Sequence, residues 1–252
     1  ERFGWYNRNT AFNPFTIEGK KTAALEIAAQ MTPEAPDAVV VPVGDGVIVA
    51  GIAKGFADLV RAGVLDRAPR LIAVQPEGSS AIARALRAGT AEIAPHDGAA
   101  SVADSLVVAA PRNGRMAVAD IRASGGGGVI VSDEAIVAAI GRLAASTGVF
   151  AEPAAAAALA GLDMALTEGL VERAERVVLL VTGSGLKDVP FLGALFSNTD
   201  TTIEQTDVIL TITPYIIRNV SLTEEDSRPL WVDVEGLQGQ TSDQAIPEEE
   251  FS

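Results

Sequence analysis

Asp37-Ala38-Val39-Val40-Val41-Pro42-Val43-Gly44 is an unbroken apolar run, rich in β-branched residues and closed by glycine. It is too short for a helix and has no polar face, so it reads as a strand buried on both sides. Working outward, apolar residues recur at helical spacing from about Val47 to Ala62, with Gly63 as a stop. Arg70-Leu71-Ile72-Ala73-Val74-Gln75 is a second buried strand, followed by an alanine-rich helix from about Ser79 to Arg87. Gly128-Val129-Ile130-Val131 is a third, and Ser132-Asp133-Glu134 supplies an N-cap and first-turn acids for a helix over 133–145. A helix from Glu152 to about Leu170 leads into a last apolar strand, Arg176 to Gly183. Apolar strands separated by helices predict an α/β fold, a doubly wound parallel sheet covered on both sides. Ligands of such sheets bind outside the carboxyl ends of the strands, so the loops after Val43 and Val181 matter most.

The composition agrees with one large α/β domain, or one domain with an appendage, and closes several other routes. Of 252 residues, 48% are hydrophobic, enough to bury a core. No apolar run reaches the ~18 residues of a membrane-spanning helix, and no membrane is expected for the main domain. The start resembles no signal peptide, which leads to an expectation of the cytoplasm. Cysteine is absent, which excludes disulfide scaffolds, thiolate metal sites and cysteine catalysis. A net charge of −14 argues against nucleic acid as a partner. That charge is uneven: residues 191–252 hold twelve acids against Arg218 and Arg228, while residues 1–190 carry only −4. Alanine also falls away after Ala194, so the chain reads as two unlike parts joined near residue 190.

Val41-Pro42-Val43-Gly44-Asp45-Gly46-Val47-Ile48 sets a glycine loop between a strand and a helix start. Backbone N–H groups and the helix dipole there suit an anion, but an ordinary strand–helix turn has the same spacing. Asp45 opposes an anion unless its side chain faces away. Ser124-Gly125-Gly126-Gly127-Gly128 precedes a strand, offers no helix N-terminus, and reads as a flexible turn. His96, the single histidine, reads as a surface loop residue, and Glu224-Glu225-Asp226 and Glu248-Glu249-Glu250 as solvated charge runs; no metal site is expected. Thr182-Gly183-Ser184-Gly185 ends the last strand: either plain turn chemistry or a hydroxyl offered to a ligand.

Six motifs, in order, resemble the threonine synthase family: Asn13 to Thr22, Val41 to Gly46, Val74 to Ser79, Ser101 to Ser105, Gly148 to Ala155 and Thr182 to Asp188. The resemblance covers residues ~1–188 and implies the large domain of a fold-type II enzyme with pyridoxal 5'-phosphate as cofactor. It implies that Gly44, Asp45, Gly46, Val47 and Ile48 hold the cofactor phosphate and that Thr182 hydrogen-bonds the pyridine nitrogen. Asn13 to Thr22 resembles the stretch returning from the small domain to the large one. The family's Schiff-base lysine lies N-terminal to all of this; Lys20, Lys21, Lys54 and Lys187 do not match it, so no catalytic residue is assigned. The implied reaction converts O-phosphohomoserine and water to threonine and phosphate, with a threonine dehydratase-type lyase as the alternative. The partners expected are a small amino-acid substrate and, left open, further copies in a homo-oligomer. A half-enzyme inactive alone is expected, with its phosphate loop intact and no specific covalent adduct on any of the four lysines.

The tail resembles something else. Val189 to Ser197 and Thr206 to Arg218 look like the C-terminal end of a secretin, an outer-membrane pore protein, over residues ~190–235. Two segments are therefore expected: an enzyme-derived domain over 1–188, and a secretin-like segment with an acidic end over 189–252. The chain could then be a pore fragment or a join of two genes. A hairpin from about Thr206 to Arg218 and a disordered end from Gly236 are expected.

Overall fold

The computed structural model describes residues 13–31 and 35–188. The expectations for the tail, hairpin and acidic end included, lie outside the described residues, as do the two acidic runs. Four strands, β1 (Ala38–Pro42), β2 (Arg70–Pro76), β3 (Gly127–Val131) and β4 (Val177–Leu179), form one sheet in the order β3-β2-β1-β4. Every pairing is parallel, with Val40 opposite both Ile72 and Leu179. The helices are α1 (Pro14–Lys20), α2 (Thr22–Met31), α3 (Val47–Arg61), α4 (Ala81–Arg87), α5 (Gly114–Ala123), α6 (Asp133–Thr147) and α7 (Pro153–Thr167).

Alternation along β1 builds two cores. Val39, Val41 and Val43 face one layer, with Ile52 and Phe56 of α3, Ile82 of α4, and Val118 and Ile121 of α5. Ala38 and Val40 face the other, with Ile72, Val74, Val129 and Val131 against Ile136 and Ala139 of α6 and the alanines of α7. The parallel sheet is therefore doubly wound, as the apolar runs require. Ala154 to Ala158 are all buried, and small residues let α7 lie close under the strands; a Cβ on Gly161 would overlap the Val74 side chain. On the other face Gly51 and Gly55 of α3 admit α1 and α2: added Cβ atoms would come 2.6 Å from Lys20 Cβ and 2.7 Å from Ala24 Cβ.

Local signals set the element ends. Ser132 caps α6 through Ala135 N–H, 3.2 Å, and Gly63, at φ 69°, follows α3. Asn13 caps α1 through Phe15 N–H, with Pro14 as its first residue. Helix α5 is not among the expected elements, although Gly114, Ala117, Val118 and Ile121 are buried at helical spacing. Two expectations need correction. The last strand is Val177–Leu179, not Arg176 to Gly183, and is half-buried. Beyond Leu180, whose N–H reaches Val40 O at 3.0 Å, the chain leaves the ladder: Glu152 N–H donates to Gly183 O and Gly185 N–H to Phe150 O. The glycine run 124–128 is a turn only at its start, with Gly127 and Gly128 already in β3, and it is packed in. Gly125 sits at φ 71°, Ser124 Oγ accepts Leu71 N–H at 2.9 Å, and a Cβ on Gly128 would meet Ala83 Cα at 2.9 Å.

Candidate functional site

Val43, just past β1, donates its N–H to Val74 O, 2.9 Å, and the chain then turns into α3. Gly46 is the N-cap at φ 92°, with no side chain to cap the helix. A Cβ there would also come 2.8 Å from Ala117 Cβ, so glycine is required on two counts. At Gly44 a Cβ would stand 3.0 Å from Ser105 O; the loop is closely covered by the 105–106 backbone. In the first turn of α3, the N–H groups of Val47, Ile48 and Val49 have no acceptor within the helix. Val47, Ile48 and Val49 line a cleft of about 220 Å³ together with Gly44, Asp45 and Gly46.

Asp45 is tied to the turn before α5. Its carboxylate accepts Arg112 N–H at 2.6 Å, while Asn113 Nδ2 donates to Gly46 O at 3.1 Å. The turn before α5 thus holds the loop from behind. Thr182, exposed at the end of the β4 segment, lines the same cleft. Residues brought together from sequence positions 44–48 and 182 therefore share one cavity at the carboxyl edge of the sheet.

Three further polar residues line that cleft: Lys20, Ser105 and Glu152. All three lie inside motifs that carried the resemblance, but nothing in their spacing marked them. Glu152 is the N-cap of α7, 8% exposed, and its carboxylate covers Gly183 so closely that a Cβ there would overlap it. Lys21 and Lys54 point elsewhere. They clasp Glu18 (2.8 Å each) and Asp58 (3.0 and 3.3 Å) between α1 and α3. Hydrogen bonds from Lys21 first and Lys54 second hold both carboxyls below their ordinary range, and the two ammonium groups are raised in return.

A larger cavity, about 520 Å³, lies between α1, α3 and α5, walled by Phe56, Leu71 and Met116. None of the expected site residues lines it, so size does not identify the site here. Asp120 sits on its wall, and burial pushes that carboxyl up. His96 is half-buried rather than a free surface residue: its Nδ1 accepts Ser80 N–H at 3.4 Å, tying the 94–98 loop to α4. Among the described residues, no cluster of His, Asp and Glu could hold a metal ion, and no helix is long and apolar enough to cross a membrane.

The cleft fits a phosphorylated cofactor on its own chemistry. First-turn residues of a helix line it beside a glycine loop, and so does a hydroxyl-bearing residue, Thr182. The family model for pyridoxal-phosphate dependent enzymes matches residues 1–183. Threonine synthase of Methanocaldococcus jannaschii is 39% identical over 178 residues, 71% of this chain and 44% of that protein. Threonine synthase of Mycobacterium tuberculosis is 36% identical over 176 residues, 70% and 46% of the two chains. The chain spans less than half the length of these curated relatives. Among solved structures, a threonine deaminase from T.th. superposes with a TM-score of 0.55 at 27% identity, over 68% of this chain and 59% of that one. A fungal L-serine ammonia-lyase from Rhizomucor miehei gives 0.55 at 25%, over 68% and 53%. Since the family match runs from the first residue through the loop that carries Thr182, the chain belongs to the pyridoxal-phosphate dependent enzymes.

Proposed function

We propose that the 220 Å³ cleft seats pyridoxal 5'-phosphate, its phosphate on Gly44, Asp45, Gly46, Val47 and Ile48 and its ring nitrogen toward Thr182. The observation that carries this is that one cavity is lined by both the loop after β1 and Thr182, 134 positions past Ile48. When bound, the cofactor supplies an electron sink for carbanion chemistry on an amino acid. The chain's own groups supply the grip. N–H groups and the α3 dipole neutralise phosphate charge. The Thr182 hydroxyl donates to the ring nitrogen. Glu152 and the 105–106 backbone close the cleft's walls.

The reaction that best fits is threonine synthase-like lyase chemistry, O-phosphohomoserine plus water to threonine plus phosphate, supported by relatives at 36–39% identity. The second reading, a threonine dehydratase-type lyase, is supported by the superposition on threonine deaminase. Phosphate release from O-phosphohomoserine, against 2-oxo acid release from threonine, separates them. On this reading the sequence as given binds cofactor but does not turn over, because none of its four lysines matches the family's Schiff-base position. Residues 1–188 form the enzyme domain, set in the cytoplasm and open to self-association, and residues 189–252 a separate secretin-like segment.

Equilibrium dialysis of the chain with pyridoxal 5'-phosphate tests the site. Gly46→Val should abolish binding and cost about 1–3 kcal/mol of stability by urea titration, from positive φ and overlap with Ala117. Thr182→Val should weaken binding about fivefold, the loss of one neutral hydrogen bond. Undiminished binding by both variants would remove the cleft from consideration.

A further inference from the structure

We infer that Lys20 is the cation that balances the cofactor phosphate; this rests on the reading above and deepens it. A phosphate monoester carries nearly two negative charges at neutral pH. The N-terminus of α3 offers about half a positive charge. The charged side chains on the cleft wall are Asp45, Glu152 and Lys20: two acids and a single base. Without Lys20 the wall would be purely acidic.

Its placement is built in. Lys20 is the last residue of α1, and its Cβ lies against Gly51 of α3, so close that a Cβ on Gly51 would fall 2.6 Å from it. Gly51 stands one turn beyond the phosphate loop, so the glycine lets the lysine stem cross α3 beside the helix start. The two adjoining lysines are spent elsewhere: Lys21 and Lys54 are both clasped by Glu18 and Asp58. Among the described residues Lys20 joins no ion pair, and it lines the cleft. The doublet Lys20-Lys21 thus divides, one lysine fastening α1 to α3 and the other facing the anion site.

The test is equilibrium dialysis of the full chain with pyridoxal 5'-phosphate, with inorganic phosphate as competitor, for wild type, Lys20→Gln, Lys20→Arg and Gly46→Val. Lys20→Gln should raise Kd about tenfold and weaken competition by inorganic phosphate equally, while Lys20→Arg stays within about threefold of wild type. Added salt should weaken wild type more than Lys20→Gln. Thermal unfolding of both Lys20 variants should match wild type, which separates the charge from any role in holding α1. If Lys20→Gln binds like wild type while Gly46→Val does not bind, this inference fails and the cofactor site stands. If wild type itself does not bind, the site fails and the inference with it. If borohydride reduction and peptide mapping find the cofactor fixed covalently on Lys20, the lysine serves the aldehyde and not the phosphate, and the inference is overturned.

Discussion

Asp120 and the Glu18–Asp58 pair are carboxylates with opposite pH behaviour. Burial raises Asp120, so its folded form holds a proton more tightly than the unfolded chain does. Stability from that group is full below the unfolded value, about 4, and declines as pH rises through the raised folded value. Asp120→Asn should therefore increase stability to urea at pH 7, with the gain shrinking toward pH 3. Glu18 and Asp58 are lowered by Lys21 and Lys54. Their contribution is present above the unfolded values and is lost as pH falls through the folded ones. Glu18→Gln should accordingly destabilise at pH 7 and have little effect in strong acid. An Asp120→Asn gain that persists unchanged at pH 3 would contradict the burial argument. At this scale the sequence is only partly legible. The Gly44–Ile48 loop shows itself by sitting between a strand and a helix. The tie that holds the Asp45 carboxylate does not, because its partner, Arg112 N–H, is 67 residues away. Lys20 is hidden likewise, since only the approach of α1 to Gly51 carries it to the cleft.

Elements were readable wherever burial on both faces made the pattern continuous. β1, β2 and β3 lie within a residue or two of the apolar runs; α3 stops before Gly63 as expected, and α6 starts behind its Ser132 cap but runs on to Thr147, past the expected 145. β4 fell short because residues 183–185 take backbone partners from 150–152, a pairing no local pattern announces. The loop after β1 is positioned by a similar non-local tie. Gln75, fully buried in β2, donates Nε2–H to Val43 O at 3.0 Å and accepts Ala83 N–H at 2.8 Å. It fastens the start of the loop after β1 to α4 across the sheet's carboxyl edge. Gln75→Ala leaves a buried carbonyl and a buried N–H unpaired, and should cost about 2–4 kcal/mol in urea unfolding. It should also loosen cofactor binding, although the residue does not line the cleft. A variant that unfolds like wild type would show that Val43 is held by its ladder bond to Val74 alone.

At the scale of the molecule, the division near residue 190 is a matter of composition, and the family match ends at residue 183. A chain ending at Asp188 should melt with the full chain's transition and bind pyridoxal 5'-phosphate with the same Kd. A fall in Tm beyond about 4 °C, about 1 kcal/mol for a domain of this size, would tie residues 189–252 to the sheet's stability. The strand order has its own consequence in time. β1 stands inside the sheet, yet its two neighbours come from opposite ends of the domain: Arg70 pairs with Ala38 early, Val177 only near the end. The same late closure joins Arg176 N–H to the Asp37 carboxylate across 139 residues. A growing chain can lay β2 beside β1 once residue 76 has been made, but β1's other edge stays open until residue 177 follows. Closing so long a loop is slow, and an open apolar edge is a template for other chains meanwhile. Slow translation, or a stall between residues 80 and 175, prolongs that exposure, so the yield of folded protein is set by how soon the last strand arrives.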